Sequence, residues 1–150
     1  MSAGLQSIPL VTGREMQTLN DKAFFTAIIP WSNITVSKIS FYVNAAASPV
    51  IEVGIYDGLT LLVSNTTTIA TAGFQFGTVT LGTPIKLIAG KLYRVGIVDR
   101  NKTASTYMEN PNYQSPLQWF YTYVAAPPQI LPNPIPSYFT NQKPIWFCLY

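Results

Sequence analysis

The sequence of 150 residues contains no histidine and one cysteine, and only 10% of its residues are charged. Histidine is the side chain whose ordinary pKa lies nearest neutral pH, so it is the usual general base and the commonest metal ligand. A single cysteine, Cys148, cannot form a disulfide within the chain, and we expect it to be a small buried side chain. These absences predict a protein that is not an enzyme and that uses no cofactor.

Acidic side chains are also few, and they are spread along the chain. Calcium sites are built from dense groups of oxygen ligands. No run of this sequence resembles such a group, so no metal site is predicted, although a structural calcium ion remains an open alternative. The scattered carboxylates considered for it are Glu52, Asp57, Asp99 and Glu109.

Long apolar runs and basic clusters are missing as well. No apolar stretch approaches the roughly 20 residues of a membrane-spanning helix, and residues 1–16 show neither the basic nor the apolar region of a signal peptide. The formal net charge is +3, from nine basic and six acidic residues that are scattered singly. A nucleic-acid binder usually concentrates its basic residues. We therefore expect synthesis in a cytoplasm, and neither nucleic acid nor membrane as a partner.

The pattern that is present is strand-like alternation of apolar and polar residues. In ITVSKISFYVN the apolar residues take positions 34 and 36 and then 39, 41 and 43. This change of parity predicts a β-bulge near Ser37 and Lys38, because one extra residue moves the later side chains to the opposite face. The Asp57-Gly58 pair between alternating apolar residues predicts a hairpin. Pro84 predicts a bend between two separate strands.

Two short segments, VGIYD and VGIVD, repeat the same pattern and place Gly54 and Gly96 at equivalent positions. A glycine within a strand often marks the close approach of backbone or of a ring. The segment AAPPQILPNPIP, residues 125–136, holds five prolines. Since proline cannot donate to a β-ladder, this segment is predicted to be an extended crossing loop.

The chain ends on a strongly apolar segment. This terminal strand is predicted to pair either within its own sheet or with another subunit. The residues proposed for it are Ile145, Trp146, Phe147, Leu149 and Tyr150. With about eight to ten short strands and no helical pattern, the sequence predicts an all-β, two-sheet antiparallel sandwich of jelly-roll type. We expect residues 1–20 to form an N-terminal arm or extended segment, and residues 21–150 a single domain.

A group of aromatic residues between positions 107 and 123 suggests a surface that binds a ligand. Exposed rings stack on sugars, but aromatic side chains are equally enriched in cores and subunit interfaces. Alternation places three of the rings on one face of a strand. Burial in core or interface is the favoured interpretation, and glycan binding is the alternative. The residues are Tyr107, Tyr113, Trp119, Tyr121 and Tyr123.

Residues 23–99 resemble a family of small jelly-roll modules found in bacteriophage virion proteins and some bacterial surface proteins. The resemblance is carried by ITVSKISFYV, VIEVGIYDG, TPIKL and AGKLYRVGIVD, in that order. It covers about half of the chain and supplies no catalytic residues. It implies a jelly-roll fold and a structural or adhesive role on a virion.

The resulting expectation is a virion structural protein, a phage capsid decoration (cement) protein that bridges neighbouring capsid subunits. It would act as a homo-oligomer, with a trimer favoured, and its partners would be other copies of itself and the major capsid protein or other virion proteins. The alternative is a carbohydrate-binding or host-recognition module, such as a fibre or spike head, whose exposed aromatics bind a surface glycan.

Overall fold

The computed structural model describes residues 5–6, 15–19, 22–45, 48–101, 104–108, 120–124, 130–136 and 147–150. Across these residues the chain forms eleven β-strands and no helix. The strands are β1 (Leu5–Gln6), β2 (Glu15–Thr18), β3 (Lys22–Ile28), β4 (Ile34–Ala45), β5 (Val50–Asp57), β6 (Thr60–Thr68), β7 (Gly73–Leu87), β8 (Tyr93–Asp99), β9 (Ala104–Met108), β10 (Phe120–Val124) and β11 (Phe147–Leu149).

The strands form two antiparallel sheets. In sheet A, β4 is central: one edge pairs with β7 along its length, and the other edge pairs with β11 and then with β9. Beyond these, β1 pairs with β11 and β2 pairs with β9. Sheet B has the order β10-β3-β8-β5-β6. The expectation of an all-β antiparallel sandwich is confirmed.

Eight of the strands pair as a nested series around the β5–β6 hairpin. Moving outward from it, β4 pairs with β7, β3 pairs with β8, and β2 pairs with β9. Successive pairs alternate between sheet B and sheet A. Strands β2 to β5 are therefore paired antiparallel with strands β6 to β9, and this double-stranded ribbon folds to form both sheets of the sandwich.

The main core lies between the two sheets. It is made of β-branched and aromatic side chains that suit a pleated surface, among them Val36, Ile39, Phe41, Val53 and Ile97. In β4 buried and partly exposed residues alternate, as expected for a strand with one face in the core. The strands β3, β5 and β8 are instead buried on both faces, because a further segment of the chain covers the outer face of sheet B.

Two local predictions from the sequence are confirmed. The β4–β7 register shifts between Val36 and Lys38, and Val36 and Ile39 are both buried in the core despite their opposite parity. The extra length lies mostly in β7, since Ile85 pairs with Val36 and Thr80 pairs with Lys38. The predicted hairpin is β5–β6, and Gly58 in its turn has a φ of 61°.

The prediction that Pro84 separates two strands is wrong, because β7 runs through it without interruption. Pro84 lies between the paired residues Thr80 and Ile85, within the register irregularity. A proline at a bulge removes no ladder hydrogen bond, so the strand tolerates it there.

Both ends of the chain enter sheet A. Within residues 1–20, β1 pairs with β11 and β2 pairs with β9, and the division into an arm of residues 1–20 and a domain of residues 21–150 stays a prediction. The terminal strand β11 lies between β1 and β4 of its own chain. Of the two alternatives for this strand, pairing within the sheet is what the structure shows for Phe147–Leu149.

Candidate functional site

Residues 130–136, which we call the strap, cover part of the outer face of sheet B. Leu131 and Ile135 of the strap form a second apolar cluster with side chains of that face: Ala23, Phe25, Tyr56 and Val98. Hydrogen bonds fix the strap to sheet B and the β5–β6 turn. The Tyr56 hydroxyl donates to the Pro132 carbonyl at 2.9 Å, the Leu61 amide donates to Asn133 Oδ1 at 3.1 Å, and the Ile135 amide donates to the Leu59 carbonyl at 2.8 Å.

A buried carboxylate holds the beginning of the strap. Glu52 is only 5% exposed, and its Oε2 accepts from the Leu131 amide at 3.2 Å and from Arg100 Nη2 at 2.9 Å and Nε at 3.2 Å. Its Oε1 accepts from Ser64 Oγ at 2.9 Å. A buried carboxylate is tolerated when its lone pairs are satisfied in this way. Burial of the neighbouring Tyr56 raises the pKa of its phenol above its ordinary value, and the charge on Glu52 adds to that rise.

Two glycines make room for the groups that pack on this face. Gly54 and Gly96 are opposite each other in the β5–β8 pair. A Cβ on Gly54 would lie 2.9 Å from Leu131 Cδ1, and one on Gly96 would lie 2.8 Å from the Phe25 ring. The predicted close approach at these glycines is confirmed, and it explains why the two similar segments share them.

Three turns form one end of the sandwich, which we call the tip: residues 29–33, 58–59 and 88–92. They join β3 to β4, β5 to β6, and β7 to β8. Hydrogen bonds tie the first turn to the third, because the Gly90 amide donates to the Pro30 carbonyl at 2.9 Å and the Ala89 amide to Asn33 Oδ1 at 2.9 Å. Lys91 Nζ reaches Asp57 Oδ2 at 2.6 Å and ties the third turn to β5.

Trp31 projects from the tip with 94% of its surface exposed. The residues that flank it are held by the two hydrogen bonds just described, so the chain presents this indole from an anchored loop. Ile88 adds a second exposed apolar side chain, with 45% of its surface accessible. Sequence analysis does not single out Trp31 as a candidate site residue. The signal was available: a tryptophan between Pro30 and the turn-forming pair Ser32-Asn33.

The outer face of sheet A carries the other exposed rings. On β7, Phe74 and Phe76 are 56% and 52% exposed. The Phe76 ring meets the Tyr42 ring of β4 edge to face, with centroids 4.7 Å apart. We call this outer surface of β4 and β7, together with Tyr150, the aromatic face.

Hydroxyl groups lie beside these rings. Ser40 Oγ is 2.9 Å from Thr78 Oγ1 and 2.9 Å from the Tyr150 hydroxyl. Cys148, opposite Ser40 in the β11–β4 pair, is buried against Tyr42, and burial raises the pKa of its thiol. The expectation of a small buried cysteine is confirmed.

The structure places the predicted site residues as follows. Tyr107 lies in β9 opposite Met16, and Tyr121 and Tyr123 lie in β10 opposite Phe25 and Ala23. Phe147 and Leu149 are buried in the main core, and Tyr150 is 37% exposed. The remaining residues, Tyr113, Trp119, Ile145 and Trp146, are outside the described residues, so the proposed row Trp119, Tyr121 and Tyr123 stays a prediction.

Of the four acidic side chains considered as metal ligands, Glu109 lies outside the described residues, and the other three have partners within the protein. Asp57 pairs with Lys91, Glu52 holds the strap, and Asp99 Oδ1 accepts from the Asn101 amide at 2.9 Å just after β8. Within the part of the chain that is described, no group of three or more histidine, cysteine or acidic residues is placed to hold a metal ion. Nor does this part contain a helix long and apolar enough to cross a membrane.

Comparison with known proteins gives no relative. No family model matches the chain, and no curated protein matches it. The functional argument therefore stands on the two exposed surfaces, the tip and the aromatic face.

Proposed function

We propose that this protein is a non-enzymatic virion structural protein, a phage capsid decoration protein that stabilises the head by bridging capsid subunits. The finer fold assignment behind this proposal is a jelly roll. It is supported by the nested pairs β5–β6, β4–β7, β3–β8 and β2–β9, since a jelly roll is an eight-stranded ribbon folded into two sheets. The family resemblance of residues 23–99 points to the same kind of module.

The observation that carries the proposal is Trp31 at the tip. An indole that is 94% exposed contributes almost no packing energy to the core of the protein. Tryptophan is, however, among the side chains that most often dominate protein–protein binding energy. The hydrogen bonds of Pro30 and Asn33 hold its loop in place before binding. A preorganised anchor loses less conformational entropy when it docks. We propose that Trp31 inserts into a pocket on a capsid subunit.

Self-association is the second part of the proposal, with a trimer as the expected species. Many copies on a particle multiply a modest contact into a firm attachment. Apolar side chains outside the core are available for contacts between copies. Among them are Leu59 and Ile130, which are 38% and 48% exposed.

The test is co-sedimentation with particles that lack this protein, paired with the mass of the purified protein in solution. The wild type is expected to be a trimer and to sediment with particles at a defined stoichiometry. Trp31→Ala is expected to keep its mass and lose attachment. Leu62→Ala, which removes a partly exposed apolar side chain of β6, is the matched control and is expected to attach normally. A wild-type monomer that does not sediment with particles would refute the proposal.

The alternative function is recognition of a host glycan, as in a fibre or spike head. It is favoured by the exposed rings on the outer surface of sheet A, which protein–protein docking at the tip leaves unused. Binding of a glycan by a protein that fails to attach to particles would move this alternative to first place.

A further inference from the structure

We propose that the aromatic face is a binding site for an acidic glycan, a chain of sugar rings that carry carboxylates. This inference rests on the alternative function given above, glycan recognition, and deepens it by naming the class of glycan; it concerns a different surface from the tip and does not depend on capsid attachment. It follows from the order of side chains along the β4–β7 pair.

The pair presents its outward residues as a straight row. Asn44 pairs with Phe74, Tyr42 with Phe76, Ser40 with Thr78, and Lys38 with Thr80. Successive pairs are two residues apart, so the row extends for about 20 Å at the usual rise of a strand. That length suits an extended polymer rather than a single small molecule.

At one end of the row the exposed rings offer flat apolar surfaces. The edge-to-face contact with Tyr42 fixes the plane of Phe76, and half of the Phe76 surface remains exposed. The ring face of Phe76 can therefore contact the C–H face of a sugar at little cost in side-chain entropy.

Hydroxyl groups occupy the middle of the row. The Ser40 hydroxyl contacts both the Thr78 and Tyr150 hydroxyls. Each hydroxyl has one donor and two acceptor positions, so this group retains hydrogen-bonding capacity toward a ligand rich in hydroxyls. Thr78 and Tyr150 are exposed to solvent.

The far end of the row is positively charged. Lys38 belongs to the last pair of the row, and Lys86 pairs with Thr35 beyond the bulge. Both lysines are exposed, and within the described part of the chain neither forms an ion pair. The acidic residues whose side chains are described, Glu52, Asp57 and Asp99, all lie in strands of sheet B. None of these three acidic side chains therefore lies in the sheet that carries the lysines, and the two lysine side chains complement a negatively charged ligand.

This order of rings, hydroxyls and lysines favours an acidic glycan over the two nearest alternatives. A neutral glycan would leave the lysines without a role. A single-stranded nucleic acid would also stack on the rings, but its binding requires a basic groove along the phosphate backbone. Here the two lysines are at one end of the row and the rings are at the other.

The experiment measures binding of purified protein to alginate, a carboxylated polysaccharide, with dextran as the neutral comparison. Alginate is expected to bind and dextran to bind at least tenfold more weakly. Lys38→Gln and Lys86→Gln are each expected to weaken alginate binding about two- to fivefold, the range of an exposed ion pair. Phe76→Ser is expected to weaken it by roughly tenfold.

Matched controls separate this site from the tip. Lys91→Gln makes the same change in net charge beside Asp57, and Trp31→Ala removes a more exposed ring; both are expected to bind alginate like the wild type. Unfolding temperatures verify that each variant is folded. Absence of alginate binding would overturn the inference, and so would binding that Lys38→Gln, Lys86→Gln and Phe76→Ser leave unchanged. Tighter binding to a single-stranded oligonucleotide, lost in Phe76→Ser, would replace the glycan with nucleic acid.

Discussion

The sharpest stability prediction concerns the carboxylate that holds the strap. Glu52→Gln keeps the size of the side chain but replaces one acceptor oxygen with an amide group that faces donors. The Leu131 amide and Ser64 hydroxyl then lose charge-assisted bonds at a buried site, and bonds to charged groups contribute about 1.5–3 kcal/mol. The Arg100 side chain is 39% exposed, so water compensates for much of its loss.

The expected cost of Glu52→Gln is therefore about 2 kcal/mol in the free energy of unfolding. For a domain of this size that corresponds to a fall of roughly 4–8 °C in Tm. Arg100→Gln should cost less, about 1 kcal/mol, because the partner it leaves behind still accepts from Ser64 and Leu131. The double variant should cost less than the sum of the two, since both remove the same ion pair.

The assay is thermal unfolding by circular dichroism, combined with alkaline titration of tyrosine absorbance. Loosening of the strap would admit water to Tyr56, so Glu52→Gln should bring one more tyrosine into the ordinary titration range near pH 10. Asp57→Asn is the control, because its ion pair with Lys91 is exposed to solvent on both sides, and Tm should hardly change. An unchanged Tm and an unchanged tyrosine titration in Glu52→Gln would refute the role of Glu52 in holding the strap.

Three further predictions address the strap and the tip. Gly54→Ala should lower the free energy of unfolding in denaturant by about 1–3 kcal/mol, as expected for overpacking, because its Cβ would lie 2.9 Å from the Val63 carbonyl oxygen. Gly82→Ala is the control, since the added Cβ meets nothing within 4 Å. Equal effects of the two substitutions would contradict the packing argument. Tyr56 has a raised pKa in the folded protein, so its contribution to stability is complete below its unfolded pKa near 10 and is lost as pH rises above it. Tyr56→Phe should therefore lower the free energy of unfolding at pH 7 by about 1 kcal/mol, and its free energy of unfolding should fall less steeply than that of the wild type above pH 10. An equally steep fall in both proteins would contradict this. Trp31→Ala should leave Tm unchanged, and a large fall would show that the indole belongs to the core.

The strands near the chain centre could be predicted because their signals are local. Parity alone located the bulge near Ser37, and the Asp57-Gly58 pair located the central hairpin. Pro84 misled because a proline's effect depends on whether its position needs a ladder hydrogen bond, and that is set by the register with β4. The short strands β1 and β2 form through distant partners, since Leu5 pairs with Leu149 and Glu15 pairs with Met108. A distant partner leaves no periodic signal in so few residues.

The candidate surfaces were harder to predict from the sequence. Composition identified residues 125–136 as an extended crossing loop, but not that residues 130–136 bury the outer face of sheet B. The same limit applies to rings: alternation tells which residues share a face, not which face is covered. Sequence analysis therefore selects the row Trp119, Tyr121 and Tyr123, which stays a prediction, and among the described side chains the exposed rings include Trp31, Phe74 and Phe76.

The most direct test of the central claim is sedimentation of particles lacking this protein after incubation with wild type or Trp31→Ala. The account predicts that wild type binds at a fixed number of copies per particle and that Trp31→Ala, with the same Tm and the same solution mass, remains in the supernatant. Equal attachment of both proteins would contradict the role assigned to the tip, and no attachment of either would contradict the proposed function itself.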